Sequence, residues 1–299
     1  MCDLLVALAS ATGEPMTLFA KNSDRPPAER QVYEWNPPRR DREPVLTTHV
    51  AVDPFADSTL GCVISRPAWM WGAEHGVNEA GVAVGNATVY TTLDPRQAAG
   101  GLTGMDIVRL ALERAATAAA AVDVITDAIE RYGQGGNAHD PALVPAGSPY
   151  WNAFLVADPH AAFVVDTSGA AWAVEAVVDV RAVSNRTSVP GFDERHRHPR
   201  QPVDRLVDPR WHASQCVLEA RPVTASSLRD HMRSHDAGGD DGWTVCMHVD
   251  GVEATTSSMI AELRADGRSR VWAMTGSPCR GDYVTLDVAD AAAFDFARL

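Results

Sequence analysis

The chain has 299 residues, 45% of them hydrophobic, and its 39 acidic against 26 basic side chains leave a formal net charge of −13. That balance excludes a broad nucleic-acid footprint, which needs a basic face, and it disfavours anionic membrane surfaces. No apolar run approaches the roughly 20 residues of a membrane span. The start also lacks the basic and apolar regions of a signal peptide, so a cytoplasmic location without a membrane partner is expected.

Taken in order, residues 3–9 read as a buried strand, Ala11-Thr12-Gly13-Glu14-Pro15 as a turn and 15–21 as the return strand of a hairpin. Further strands are expected at 46–52, 60–66, 74–79 and 81–90, with an exposed Pro/Arg-rich loop from Trp35 to Pro44. Thr103 is a suitable N-cap for a helix through Ala116, and a second helix over 120–132 should end at Gly133. Strands resume at 153–157, 161–166, 170–176 and 180–184. Residues 190–209 read as an Arg/His/Pro-rich loop. A short helix at 225–234, starting near Ser226 or Ser227, precedes strands at 244–249, 256–263, 270–275 and 283–288. Strands clustered at both ends with helices between them predict an α+β chain with long antiparallel sheets, expected as one domain over 1–299.

The five cysteines, at 2, 62, 216, 246 and 279, show no paired spacing and no C-x-x-C, so neither a disulfide framework nor a structural zinc site is expected. Cys62, Cys216 and Cys279 have no partner that spacing identifies. Cys246 and His248 share a strand face, but buried packing is the ordinary fate of such a cysteine. Arg195-His196-Arg197-His198 reads as a solvated loop rather than a metal site. Gly100 to Gly104 lacks the Lys-Ser/Thr of a phosphate loop.

Cys2 is different. Removal of Met1 would put a thiol and an α-amine on adjacent atoms, a nucleophile with its own general base. The hairpin returns Lys21-Asn22-Ser23-Asp24-Arg25 to the side of Cys2. Cations there favour a thiolate, and Asp24 is placed to orient an ammonium.

Cys2 followed by Phe19-Ala20-Lys21-Asn22-Ser23-Asp24-Arg25-Pro26 resembles the secernin and cysteine-dipeptidase group of N-terminal nucleophile hydrolases. More distantly it is similar to the choloylglycine hydrolase and penicillin V acylase group. The segments Trp71 to Asn86, Asn152 to Pro159, Trp172 to Glu175, Val183 to Arg186, Thr255 to Met259 and Thr275 to Pro278 extend the resemblance over nearly the whole chain. It implies a four-layer αββα sandwich and amide hydrolysis through a Cys2 thioester, on dipeptides or related small amides, without cofactor or metal. It implies Asn185 as an oxyanion donor, with Asn86, Thr88 or Asn152 as a second. Lys21 stands where the acylase relatives carry Arg, which exchanges a planar fork for a point charge. Arg25, one residue past Asp24, and Glu74 are candidate substrate contacts, with His75 beside them and Trp71 as a candidate apolar wall. The expected partners are a small peptide or amide substrate and a methionine aminopeptidase that exposes Cys2, and homo-oligomer formation is left open. The rival readings are a non-catalytic secernin-like partner protein and an acylase for acylated small molecules.

Overall fold

The computed structural model describes residues 1–98, 100–200, 203–236 and 241–299. Two-residue side-chain alternation and frequent turn glycines produce sixteen strands among the described residues. They are β1 (Cys2–Ala7), β2 (Met16–Arg25), β3 (Gln31–Asn36), β4 (Val45–Leu46), β5 (Ala51–Val52), β6 (Cys62–Pro67), β7 (His75–Asn78) and β8 (Ala83–Val89), then β9 (Trp151–Ala157), β10 (Ala162–Ser168), β11 (Ala171–Ala176), β12 (Val180–Val183), β13 (His248–Val249), β14 (Glu253–Arg264), β15 (Arg270–Thr275) and β16 (Val284–Asp287). The helices are α1 (Ala9–Thr12), α2 (Gly104–Arg114), α3 (Ala118–Tyr132), α4 (Asp193–His196), α5 (Val203–Leu206), α6 (Asp208–Glu219) and α7 (Ala225–Met232).

Two seven-stranded sheets carry the architecture. One runs β12-β1-β2-β14-β15-β16, with β13 on β14, and the other runs β11-β10-β9-β8-β7-β6-β3. Every pairing within them is antiparallel.

Three apolar clusters define the layers. Leu4, Val6, Phe19 and Met259 of the first sheet meet Val77, Ala83, Ala87 and Leu155 of the second in the central core. On the outer face of the second sheet, Ile64, Val84, Phe154 and Val156 pack against Ile107, Leu110 and Ala111 of α2 and Ile125 and Ile129 of α3. On the outer face of the first sheet, Leu5, Leu18 and Ile260 pack under Leu218 of α6 and Leu228 and Met232 of α7. The result is a four-layer αββα sandwich, in which a strand's alternating side chains serve the central and an outer cluster in turn.

Thr103 caps α2 as its sequence requires. Its side chain accepts from the Asp106 N–H at 3.1 Å, and Asp106 accepts from the Thr103 N–H at 3.0 Å. Helix α3 ends at Gly133 with φ +69°.

Several expectations need correction. The segment 46–52 forms only the β4–β5 hairpin. The strand β3 already occupies Trp35 and Asn36, where the loop was expected to begin. Of 244–249, only His248 and Val249 pair. Helix α7 starts at Ala225, with Ser226 and Ser227 in its first turn as expected and Thr224 as its N-cap. The expected loop at 190–209 holds α4, α5 and the start of α6, apart from residues 201 and 202, which lie outside the described residues. Helix α6 went unforeseen because its buried positions are Arg210, Ser214 and Leu218, an i, i+4, i+8 stripe with two polar members out of three.

Candidate active site

The β1–β2 register sets Cys2 opposite Ser23. One residue further on, the Asp24 N–H donates to the Met1 carbonyl at 2.9 Å. Every residue of β2 from Met16 to Arg25 is buried, although its last five are polar or charged. Buried polar groups of this kind need partners, and the opposite side of the sandwich supplies those of Lys21 and Ser23.

Lys21 is 0% exposed. Its ammonium crosses to the second sheet and donates to the Glu74 carbonyl at 2.7 Å and to Glu74 Oε2 and Asn86 Oδ1, each at 3.2 Å. Gly85 makes the crossing feasible, because a Cβ there would lie 3.0 Å from Lys21 Cδ and 2.9 Å from Leu4 Cδ2. Arg25 forks onto Glu29 at 2.6 and 2.8 Å and pairs with Glu74 Oε1 at 3.2 Å. Burial opposes ionisation of Glu74, but Lys21 and Arg25 together hold its carboxyl below the usual range.

Asp24 accepts from the Thr255 hydroxyl at 2.6 Å through Oδ1, while Oδ2 is buried without a hydrogen-bond partner among the described residues. Burial raises this carboxyl to about 7, against the lowering field of the chain's α-ammonium. Burial likewise pushes the Cys2 thiol up, and Lys21 and the α-ammonium pull it down. The Met1 α-ammonium donates to the Asp24 carbonyl at 3.1 Å and ion-pairs with Glu253.

Asn185 meets Cys2 through the main chain. The Cys2 N–H donates to Asn185 Oδ1 at 2.9 Å, and Arg210 Nη2 donates to the same oxygen at 2.9 Å. Asn185 Nδ2 donates to the Thr88 carbonyl at 3.0 Å. Two donors on one side and an acceptor on the other fix the amide's orientation. The side chain expected to donate to an oxyanion therefore turns its oxygen toward Cys2. Arg210 also pairs with Asp3, which accepts from Ser184 at 2.6 Å.

Cys2 faces a cavity of ≈ 70 Å³ whose lining includes Asp24, Arg25, Glu74, Thr88, His139 and Tyr150. Met1, Tyr90 and Glu253 line both this cavity and a cleft of ≈ 630 Å³, to which Leu93, Leu206 and Trp243 contribute apolar wall.

Of the residues named from the sequence, Cys2, Asp24, Arg25, Glu74 and Thr88 converge on the cavity. Asn86 and Asn152 are not among the residues that line it. Asn86 Nδ2 donates to Asn152 Oδ1 at 2.9 Å, and Asn152 Nδ2 to Gln134 Oε1 at 3.1 Å. Trp71 lies elsewhere, packed on the α2 side of the second sheet with Arg109 4.3 Å above its ring. His75 points into the sandwich, bonded to Ser23 at 3.2 Å and Tyr33 at 2.8 Å, and burial holds it well below its ordinary pKa. Arg210, Glu253, Tyr150 and Thr255 were not foreseen. Each arrives from a segment more than a hundred residues from Cys2, and only the polar Thr255-Thr256-Ser257-Ser258 run, part of the resemblance noted in the sequence, offered a signal.

Outside this site, no described helix is long and apolar enough to cross a membrane. The Gly100 to Gly104 segment leads into the α2 cap. Arg197 pairs with Asp193 inside and just past α4, and His198 lines the larger cleft.

No family model matches the sequence. Among solved structures, the chain resembles penicillin V acylase from Agrobacterium tumefaciens at 12% identity and a TM-score of 0.58, covering 96% of this chain and 86% of that one. It also resembles the C2A mutant of the conjugated bile acid hydrolase from Clostridium perfringens at 11% identity and a TM-score of 0.52, covering 99% and 94%. The R18L variant of that hydrolase matches at 11% identity and 0.52, covering 95% and 96%. The chain thus has the four-layer αββα fold of the N-terminal nucleophile hydrolases.

Proposed function

We propose that the protein is a cysteine amide hydrolase whose nucleophile is Cys2 after removal of Met1, and that it acts on dipeptides and small amides with a free amino terminus. The observation that carries this reading is the setting of the Cys2 nitrogen. It is held at 2.9 Å by Asn185 Oδ1, and Asp24, whose Oδ2 lacks a hydrogen-bond partner among the described residues, lines the same cavity as Cys2. Once freed, that nitrogen becomes the amine that takes the thiol proton. Asp24 supplies a counter-charge to the ammonium, and Lys21 favours the thiolate.

The thiolate adds to the substrate carbonyl. The Thr88 and Tyr150 hydroxyls at the cavity wall are the donors proposed for the oxyanion. Collapse of the adduct breaks the C–N bond and forms the thioester, with the ammonium proton going to the leaving nitrogen. Water then cleaves the thioester and restores the thiol.

Substrate preference follows from Met1. Its α-ammonium, one peptide bond from Cys2, already rests on Glu253 and the Asp24 carbonyl. That arrangement is a grip for a free amino terminus, in keeping with the resemblance to cysteine dipeptidases. A second reading, an acylase, is favoured by the apolar Leu93, Leu206 and Trp243 of the adjoining cleft.

Intact mass of the purified protein, followed by rates on a panel of dipeptides and their N-acylated counterparts, tests both. The expected result is a chain lacking Met1 that cleaves free dipeptides and is inactive as Cys2→Ala. Full activity in Cys2→Ala, or with Met1 retained on all active protein, would overturn the mechanism. Faster cleavage of the acylated set would replace the dipeptidase reading with the acylase.

A further inference from the structure

The site around Cys2 leaves one reactive cluster unused. His235, Cys246, His248 and Cys279 bring one ligand atom each to within 4.8 Å of one another. The sequence hid this grouping because its spacing has no C-x-x-C and its four members come from three separate segments. His235 lies just past α7, Cys246 and His248 form a C-x-H pair leading into β13, and Cys279 sits on the helical turn Pro278–Arg280 after β15.

We propose that these four residues form a tetrahedral zinc site, independent of the catalytic reading. The distances suit the ion. His248 Nε2 lies 3.5 Å from Cys246 Sγ and 3.1 Å from Cys279 Sγ. Zinc bonds of about 2.0–2.1 Å to nitrogen and about 2.3 Å to sulfur set such ligand atoms roughly 3.6 Å apart in a tetrahedron. The His235 ring stands edge-on to His248 with centroids 5.2 Å apart, so a second imidazole faces the same point. A simple Cys–His hydrogen bond accounts for this poorly, since one imidazole nitrogen addresses two sulfurs at once and can give its single proton to only one. Two thiolates and two imidazoles are a donor set that zinc prefers over calcium or magnesium.

The backbone prearranges the ligands. The Cys246 N–H donates to the Ser234 carbonyl at 2.9 Å, which fixes His235 beside Cys246. Ser277 Oγ donates to the Thr255 carbonyl at 2.9 Å, which anchors the turn carrying Cys279. Zinc would staple these three segments together. It would also brace Asp24, because the Met247 N–H between two ligands donates to Thr255 Oγ1 at 2.8 Å, and that hydroxyl donates to Asp24 at 2.6 Å.

The test uses the full-length protein, reduced and stripped with a chelator, then titrated with Co²⁺ and afterwards with Zn²⁺. One Co²⁺ per chain is expected, with the visible bands of tetrahedral coordination and a near-ultraviolet thiolate-to-cobalt band, both lost on adding one equivalent of Zn²⁺. Cys279→Ser, at an exposed position that should leave folding intact, should abolish stoichiometric binding or strip most of the thiolate band. Cys216→Ser, at an exposed cysteine outside the cluster, should change neither. The proposal fails if the folded, reduced chain takes up no metal, if Cys279→Ser binds Co²⁺ with an unchanged spectrum, or if Cys246 and Cys279 are recovered as a disulfide whose reduction restores no metal binding.

Discussion

The Cys2 main-chain nitrogen and the Asn185 side-chain oxygen are 2.9 Å apart, across 183 residues of sequence. In the proposed mechanism the bond makes Asn185 a positioning group for the nitrogen that would serve as base, and Arg210 donates to the same oxygen at 2.9 Å. Asn185→Ala should therefore lower kcat/KM by about 10²-fold, the scale of a misplaced reacting group, with the Cys2 thiol still open to a small alkylating reagent. Steady-state kinetics beside thiol labelling check this. Unchanged kcat/KM would remove Asn185 from the mechanism.

Asp24 gives the site a pH signature. Burial raises its carboxyl from 3.8 to about 7, so the folded chain binds this proton more tightly than the unfolded chain. The stability it contributes is fully present below about pH 4 and is lost as pH rises through about 7. Asp24→Asn should flatten that part of the stability profile in denaturant titrations. The Thr255 hydroxyl lowers the same carboxyl, so Thr255→Val should move the acidic limb of kcat/KM to higher pH. An unmoved limb would assign it to another group.

The Lys21 channel is tight enough to test by packing. A methyl at Gly85 would meet Leu4 and Lys21 at 2.9 and 3.0 Å. Gly85→Ala should cost about 1–3 kcal/mol in urea denaturation, the usual penalty of overpacking. Lys21→Met keeps the length but removes the cation that lowers the Cys2 thiol. It should slow alkylation of Cys2 at neutral pH and leave Glu74 paired with Arg25 alone. Equal labelling rates in the two proteins would show that Lys21 serves packing only.

Much of this was legible in the sequence, and the residues show why. The turn around Gly13 and the two flanking apolar runs set the β1–β2 hairpin, and that local device delivers Asp24 to Cys2. Thr103 and Gly133 bounded their helices by capping chemistry alone. What stayed hidden depends on tertiary placement. Arg210 is fully buried on a helix whose inner stripe is partly polar, so hydrophobic periodicity could not reveal it. Trp71 sits close to Glu74 in sequence yet packs under α2 while Glu74 faces Lys21, a divergence that composition cannot register. Asn185 was identified as a site residue, but which end of its amide meets Cys2 depends on Arg210 and Thr88.

In the proposed reading, Glu253 decides substrate class. It pairs with the only α-ammonium in the described structure, that of Met1, at the neck between the small cavity and the larger cleft. A dipeptide bound with its carbonyl at Cys2 would present the same charge to the same carboxylate. Removing that charge should therefore weaken binding of free amino termini and leave N-acylated substrates untouched. Glu253→Gln keeps the shape and one hydrogen-bonding oxygen, so folding should persist, while KM for dipeptides rises by about 10-fold or more, the scale of a lost hydrogen bond to a charged group. Its kcat should change little, since the contact is made equally in ground and transition states. A parallel rise in KM for N-acylated dipeptides would show that Glu253 shapes the neck without reading charge. A fall in kcat with KM unchanged would instead place it in the proton transfers at Cys2.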